Sequence, residues 1–302
     1  MAFYVPEKQA GLFEEVERRF RLLLSKNIVT GISETQFDKW LSNLMSEEDQ
    51  YLAARLLENL TFRSEQMVGS AIAHILQCIL PCELRRMGVQ ISSVDEFVES
   101  LARGGKNHPV RFVEIDDPKG KKPGKSGAVL MRELHRLGGV DGSLTCMSNA
   151  ISSQPANVKC LVFVDDMLGT GMQMETYAGV HNLQAISAKH HLIYCPLAAY
   201  ESGLTHLADV CPWLQVCPVE VFGPAHQFFR AEAERPDIWA IDRTNTVADV
   251  RAHMEGLCKR GGIRSPATFA LELLVGFHHA TPNNTLPIMH VSSSTWHNLL
   301  TR

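Results

Sequence analysis

The length, composition and charge of this chain are those of an ordinary globular protein. It has 302 residues, of which 45% are hydrophobic and 21% charged, and at roughly 100 to 200 residues per domain we expect two structural units. This composition excludes a disordered tail, a coiled-coil rod and a disulfide miniprotein, and a net charge of -4 argues against a nucleic-acid interface over the whole surface.

The N-terminus and the cysteines predict a cytoplasmic protein. The first residues, MAFYVPEKQAGLFEEVERR, lack the basic-then-apolar order of a signal peptide. No apolar run approaches the roughly 18 residues that a membrane span needs. The eight cysteines form no C-x-x-C pair, which favours buried, reduced thiols. We therefore expect a cytoplasmic protein with no membrane partner.

Residues 1–100 follow a helical periodicity and are predicted to form a helical region. Apolar positions recur at helical spacing in four stretches, at 12–24, 37–44, 52–60 and 68–79. Ser33 and Gln36 have the spacing of a capping box, in which each side chain satisfies a backbone N–H of the first helical turn. No group of side chains in these helices converges on a chemical site.

Residues 101–302 are predicted to form an α/β domain with a C-terminal closing segment. Short apolar runs alternate with helical stretches, and the runs lie at 110–115, 160–164, 191–197 and 214–222. Apolar strands that alternate with helices imply a parallel sheet covered on both faces. Functional side chains are then expected at the carboxyl ends of the strands.

The segment KCLVFVDDMLGTGMQ, residues 159–173, is the strongest functional signal. An apolar strand runs into two consecutive acids, Asp165 and Asp166, and a short loop then leads into a helix near Met172. The Gly-Thr-Gly sequence at 169–171 lets the backbone approach a ligand, and the first-turn N–H groups of the helix form an anion site. This pattern predicts a ligand with a phosphate at one end and sugar hydroxyls at the other.

This segment resembles the phosphoribosyl-diphosphate (PRPP) motif of type I phosphoribosyltransferases, in which four apolar residues, two acids and a short loop precede Thr-Gly. The resemblance implies a parallel-sheet phosphoribosyltransferase-like core. It also implies that Asp165 and Asp166 are catalytic residues that face the ribose hydroxyls. The residues implied to bind the 5′-phosphate are Leu168, Gly169, Thr170, Gly171, Met172 and Gln173.

Other sites with acidic residues after a strand fit this segment less well. A receiver domain lacks the Gly-Thr-Gly turn, and the haloacid-dehalogenase motif has its acids at alternate rather than adjacent positions. No G-x-G-x-x-G follows a predicted strand. A structural strand-turn-helix, whose acids only cap the loop, stays open as an alternative.

A lysine-rich loop at residues 116–127 follows the first predicted strand of the core. Gly120 and Gly124 enclose three residues where a Walker A motif requires four, which excludes a P-loop NTPase. In type I phosphoribosyltransferases the equivalent loop binds pyrophosphate, and the resemblance implies Mg²⁺ bound with the diphosphate. The implied pyrophosphate-loop residues are Lys122, Lys125, Ser126 and Gly127. A solvated basic loop, or a weak nucleic-acid contact, would explain the same lysines.

The C-terminal segment FHHATPNNTLPIMH, residues 277–290, narrows the resemblance to one branch. With Trp40 and a Leu-rich helix, it resembles phosphoribosyltransferase-like proteins of bacterial conflict and anti-phage cassettes, including those beside retron reverse transcriptases. That branch implies an antiviral effector with operon-encoded protein partners and a reverse-transcriptase and nucleic-acid complex; a homo-oligomer is also allowed. Asn283 and Asn284 could contact a base edge or only form turns. The histidines have mixed spacing, so we expect no metal site there.

The sequence therefore predicts an enzyme of the phosphoribosyltransferase or nucleotide N-glycosidase type. It would bind PRPP or a nucleotide and act at the ribose anomeric carbon, by base transfer or base release. The alternative is a catalytically inactive module that senses PRPP or a nucleotide, or binds partners in a defence complex. Met172 and Gln173 favour this alternative, because the family usually has Gly-Thr there. A sheet with only a structural role is a third hypothesis.

Overall fold

The chain forms two compact units. The computed structural model describes residues 3–115, 125–230, 242, 244–265 and 271–301. Unit 1 contains residues 1–65 and 224–302, and unit 2 contains residues 66–223. This division differs from the linear one expected at residue 100, because apolar side chains of the C-terminal segment share one core with the N-terminal helices.

The elements below are numbered in chain order. The helices are α1 (Leu12–Ser25), α2 (Glu34–Leu41), α3 (Glu47–Glu58), α4 (Glu65–His74), α5 (Leu80–Arg86), α6 (Val94–Arg103), α7 (Lys125–Gly138), α8 (Met172–Val180), α9 (Leu183–Ser187), α10 (Glu201–Val210), α11 (Val247–Arg260) and α12 (Pro287–His290). The strands are β1 (Thr61–Arg63), β2 (Val110–Glu114), β3 (Thr145–Met147), β4 (Cys160–Leu168), β5 (His191–Tyr200), β6 (Leu214–Val216), β7 (Glu220–Phe222) and β8 (Val275–Phe277).

Unit 1 packs short helices around one apolar core, with β1 and β8 paired in parallel. Two tryptophans from opposite ends of the chain meet in this core. The indole N–H groups of Trp40 and Trp296 both donate to the carbonyl of Ile288, at 3.4 and 3.2 Å. A Cβ on Gly261 would lie 2.7 Å from the Trp296 ring, so the end of α11 fits against that ring only as glycine. The N-terminal and C-terminal segments of the chain therefore form the core of unit 1 together.

Only half of the capping box predicted at Ser33 is formed. The Ser33 hydroxyl accepts the backbone N–H of Gln36 at 3.1 Å, but the Gln36 amide donates to the carbonyl of Leu299 at 2.8 Å instead of returning to the cap. The Gln36 side chain bonds instead to Leu299, which is distant in sequence, and the local sequence pattern does not predict this contact. A complete capping box is present at Thr246 and Asp249, at the start of α11.

Unit 2 is an α/β domain with a parallel central sheet, which confirms the predicted fold class. The strand order is β3-β2-β4-β5-β6, with β7 beside the end of β5, and all these pairs are parallel. Every residue of β4 is buried, and so is every residue of β5 except the first. Central strands of this kind have both faces covered. The carboxyl edge of the sheet is therefore the open place for a site.

The helical stretch Glu65–Arg86 joins α4 and α5 through a π-helical turn. The N–H of Leu80 donates to the carbonyl of Ile75, five residues back, immediately before Pro81. Proline clashes with the carbonyl four residues before it, and the wider turn relieves this clash. Among the described residues, this is the one helix that is long and apolar enough to cross a membrane, with a mean hydropathy of 1.5. The sequence had not predicted a candidate membrane span here. A buried core helix has the same properties, so the signal is weak.

Candidate functional site

The acidic pair lies inside strand β4 rather than after it. The sequence analysis ends this strand at Val164, but β4 continues because β5 pairs with it as far as Leu168↔Ala199. Asp165 and Asp166 are consequently only 6% and 8% exposed. The sheet itself therefore fixes the backbone of both carboxylates.

Tyr194 on β5 contacts the acidic pair directly. Its hydroxyl donates to Oδ2 of Asp165 at 2.9 Å, while Oδ1 of Asp165 accepts the backbone N–H of Asp166, also at 2.9 Å. Tyr194 was not predicted from the sequence, because functional side chains were expected only at the ends of strands, and Tyr194 lies within β5. The sequence contained one sign of this role, the hydroxyl of Tyr194 within the largely apolar run HLIYCPL.

Burial raises the pKa of both aspartates. At Asp165 the neighbouring Asp166 carboxylate raises the pKa further, whereas the Tyr194 hydrogen bond lowers it. At Asp166 burial also raises the pKa, and hydrogen bonds from Asp165 and from backbone N–H groups partly oppose the rise. Burial likewise raises the pKa of Tyr194, so its hydroxyl remains a donor. The pair therefore retains a proton at a higher pH than an exposed aspartate would.

The residues after β4 make a tight glycine turn into helix α8. Gly171 has a φ of 85°, in the left-handed region that favours glycine, and α8 begins at the next residue, Met172. The first-turn N–H groups of a helix have no acceptor within that helix, and they point at the turn formed with Gly169 and Thr170. This turn can hold an anion immediately beyond the acidic pair.

The predicted phosphate-binding residues differ in exposure. Leu168 ends β4 and its side chain is buried in the core of unit 2, so only its backbone is placed near the turn. Thr170 is half-buried, whereas Gln173 is exposed and Met172 is 64% exposed. A ligand at this turn would meet backbone N–H groups and one hydroxyl before it met either long side chain.

Helix α10 packs tightly against the glycine turn. A Cβ on Gly203 would lie 2.1 Å from the carbonyl oxygen of Gly169, and a Cβ on Gly171 would lie 2.8 Å from the His206 ring. His206 in turn makes a 2.8 Å hydrogen bond to Glu175 in α8. Gly203, His206 and Glu175 were not predicted from the sequence. Gly203 could have been, because a glycine in the first turn of a helix that follows a strand indicates close packing.

The second predicted loop is described only at its two ends. Residues 116–124, which include Lys122, lie outside the described residues, and of Lys125 and Ser126 only the backbone is described, at the start of α7. A Cβ on Gly127 would lie 2.0 Å from the carbonyl oxygen of Ile115, so α7 begins directly against the end of β2. Because β2 and β4 are parallel neighbours, the two predicted anion loops leave the same edge of the sheet.

Asn283 and Asn284 belong to unit 1, whereas the acidic pair belongs to unit 2. Asn283 is exposed, and the backbone carbonyl of Asn284 accepts the N–H of Leu273 at 3.0 Å. The N–H of Thr285 donates to the carbonyl of Pro282, which closes a turn around both asparagines. The turn is established by these bonds; the base contact stays a prediction.

The residues that the structure describes contain no group of three His, Cys, Asp or Glu side chains arranged for a metal ion. The candidate site combines two kinds of polar group. A buried carboxyl pair can accept hydrogen bonds from hydroxyls or stabilise a nearby positive charge, and the glycine turn can hold a phosphate.

Comparison with known protein families gave a match. The model of the family described as PRTase-CE matches residues 37–302 of the chain. The matched segment includes the whole of unit 2, with the acidic pair and the glycine turn. A comparison with curated proteins gave no match.

Proposed function

The chain belongs to the PRTase-CE family and is phosphoribosyltransferase-like, and from this premise we propose that its site binds PRPP or a nucleotide and acts at the ribose anomeric carbon. One observation carries the proposal: β4 leads from Asp165 and Asp166 directly into the glycine turn at the start of α8. A 5-phosphorylated ribose has a phosphate at one end and ring hydroxyls at the other. We propose that the phosphate binds the glycine turn and that the hydroxyls bind the acidic pair.

In the proposed complex the 5′-phosphate binds the turn at residues 169–173, and the ribose hydroxyls face the acidic pair. The backbone N–H groups of the turn are fixed before the ligand arrives, since α10 packs on Gly169 and Gly171. Such preorganised donors stabilise an anion without a further cost of reorganisation. The acidic pair is likewise held by the sheet.

The chemistry is a substitution at the anomeric carbon through an oxocarbenium-like transition state. In base transfer the bond to the diphosphate oxygen breaks, the diphosphate leaves with the electron pair, and a base nitrogen bonds to the carbon and loses its proton to the solvent. In base release the carbon–nitrogen bond breaks, water supplies the hydroxyl, and the base takes up a proton. In both cases we assign to the Asp165 and Asp166 pair the stabilisation of the developing positive charge.

Mg²⁺ fits this proposal as a companion of the diphosphate. Mg²⁺ prefers oxygen ligands and commonly binds through phosphates with one or two carboxylates. Bound in this way, the ion would neutralise charge on the leaving diphosphate. Lys122 and Lys125 are proposed to assist at the same group.

The resemblance also supports a cellular role for this proposed activity. We propose an effector of anti-phage defence, cytoplasmic and encoded with partner proteins, which acts with a reverse transcriptase and its nucleic acid, as in the retron-associated branch. Base release would deplete a nucleotide pool. Expression in bacteria with and without the neighbouring genes tests this role, since a toxic effector should slow growth only when its partners are missing.

The biochemical test is incubation of the purified protein with Mg²⁺ and a panel of nucleotides and PRPP, with products resolved by mass spectrometry. Wild type should release or transfer a base. The Asp165→Asn/Asp166→Asn double variant should do neither, whereas Asp209→Asn, which changes an exposed aspartate on α10, should keep wild-type turnover. Equal turnover by the double variant and wild type would refute a catalytic role for the pair.

One observation favours a sensor as the second candidate. Met172 is 64% exposed in the first turn of α8, where the family motif usually supplies a small or hydroxyl residue. A sensor would show a raised melting temperature with PRPP or a nucleotide and no product in the same mixture. Turnover in that mixture would exclude it.

A further inference from the structure

We propose that Tyr194 is a positioning residue for the ribose site: its hydroxyl holds the Asp165 carboxyl, that carboxyl accepts the backbone N–H of Asp166, and Asp166 is the carboxylate that binds ribose hydroxyls. The inference rests on the proposed function, and it assigns different roles to two aspartates that the sequence motif treats as a pair.

The hydrogen bonds distinguish the two carboxyls. Both oxygens of Asp165 accept a hydrogen bond, Oδ2 from the Tyr194 hydroxyl and Oδ1 from the backbone N–H of Asp166, each at 2.9 Å. Asp165 is therefore held between Tyr194 and the Asp166 backbone, and we assign the contact with ribose hydroxyls to the carboxylate of Asp166.

Among the residues that the structure describes, Tyr194 is the side-chain donor to Asp165. The groups with the largest effects on the pKa of Asp165, apart from burial, are Asp166 on its own strand and Tyr194 on β5. Tyr194 is affected in addition by Cys195, its buried neighbour. Loss of the phenol hydroxyl would leave Oδ2 of Asp165 buried without its donor, so the carboxyl could turn away from its present orientation.

The hydroxyl can be tested apart from the ring. Tyr194 lies in the apolar core cluster of unit 2, and Tyr194→Phe keeps that packing while removing only the donor. Tyr177→Phe is a matched control, because Tyr177 is equally buried in the same cluster and its hydroxyl bonds to Ser148 at 2.7 Å, away from the acidic pair. Both variants lose one buried hydroxyl, so a general loss of stability affects them alike.

Two phosphate monoesters separate the sugar contacts from the phosphate contacts. Ribose 5-phosphate has the ring hydroxyls and methyl phosphate lacks them, so the ratio of their affinities measures what the sugar contributes. Calorimetric titration of folded wild type should show tighter binding of ribose 5-phosphate. Tyr194→Phe should lower this ratio by about five- to tenfold, the effect of one lost hydrogen bond of ordinary strength, with methyl phosphate affinity unchanged.

The aspartates provide a second, independent test. Asp166→Asn should lower the ratio most, and Asp165→Asn should lower it less, because an amide oxygen at residue 165 still accepts from Tyr194 and Asp166 keeps its carboxylate. A Tyr194→Phe ratio equal to that of wild type, or a loss in Tyr177→Phe as large as in Tyr194→Phe, would overturn the inference. A wild-type ratio in Asp166→Asn would instead overturn the proposed ribose site itself, and the inference with it.

Discussion

Gly203 lies against Gly169 so closely that a Cβ at residue 203 would be 2.1 Å from the Gly169 carbonyl oxygen. No side-chain carbon fits at that separation. The first turn of α10 and the glycine turn after β4 are therefore in direct contact, and α10 helps to fix the backbone of the proposed phosphate site.

Gly203→Ala should displace the glycine turn and weaken phosphate binding. Relief of such an overlap costs about 1–3 kcal/mol of folding free energy, and we expect ribose 5-phosphate affinity to fall with it. Gly179→Ala is the control: it lies in the last turn of α8 with open space around it, and the change should stabilise the chain by up to about 0.5 kcal/mol. Unchanged affinity in Gly203→Ala would contradict a role for α10.

Glu175→Gln should strengthen phosphate binding. Glu175 lies in the first turn of α8 and bonds to His206, whose ring lies against Gly171. Its negative charge opposes a phosphate dianion at the same helix terminus. We expect affinity for methyl phosphate to rise about two- to fivefold at low salt, and the gain to shrink at high salt because exposed charges are screened.

The control for this change is Glu255→Gln, which removes an exposed charge on α11 in the other unit. It alters the net charge equally but leaves the site untouched, so methyl phosphate affinity should stay at the wild-type value. A similar gain in both variants would indicate a general charge effect, and the local explanation would then be wrong.

The sequence was sufficient for the parallel sheet as a class and for the start of α8, but not for β3, for the break between β6 and β7, or for the extent of β4. Apolar runs identify buried strands, whereas Asp165 and Asp166 interrupt that pattern and so suggested a strand end. Their strand continues because β5 provides both the backbone pairing and a donor, Tyr194. Such compensation comes from a residue some thirty positions away, and local patterns do not contain it.

The division into units was hidden from the sequence for a related reason. Residues near Trp40 read as an N-terminal helical region, and those near Trp296 as the end of an α/β domain. Both indole groups nevertheless bond to the carbonyl of Ile288. Hydrophobic periodicity shows which face of a helix is buried, but it does not show which distant segment covers that face.

Gly127→Ala should impair the second loop. A Cβ at residue 127 would lie 2.0 Å from the carbonyl oxygen of Ile115, so α7 would have to move away from the end of β2. We expect a loss of about 1–3 kcal/mol in folding free energy and weaker binding of inorganic diphosphate with Mg²⁺. Gly142→Ala, in open space, is the control and should change neither quantity. Normal diphosphate binding by a stable Gly127→Ala protein would contradict the proposed loop.

Asp49 should make the stability of the chain depend on acid. Burial opposes its ionisation, but hydrogen bonds from His253, the backbone N–H of Met45 and Arg260 outweigh this and lower the pKa of Asp49 from 3.8 to about 2. A carboxyl whose folded pKa lies below its unfolded value stabilises the fold above the unfolded pKa. That stabilisation, about 2 kcal/mol, is lost as the pH falls from about 4 to about 2.

Urea denaturation of wild type and Asp49→Asn at several pH values measures this contribution. The variant should be less stable at pH 7, and the difference between the two proteins should shrink as the pH falls through the same interval, since a protonated Asp49 no longer pairs with Arg260. Asp38→Asn, an exposed aspartate of the same unit, should show no such convergence. A difference that stays constant down to pH 2 would mean that Asp49 stabilises unit 1 by its shape and hydrogen bonds rather than by its charge.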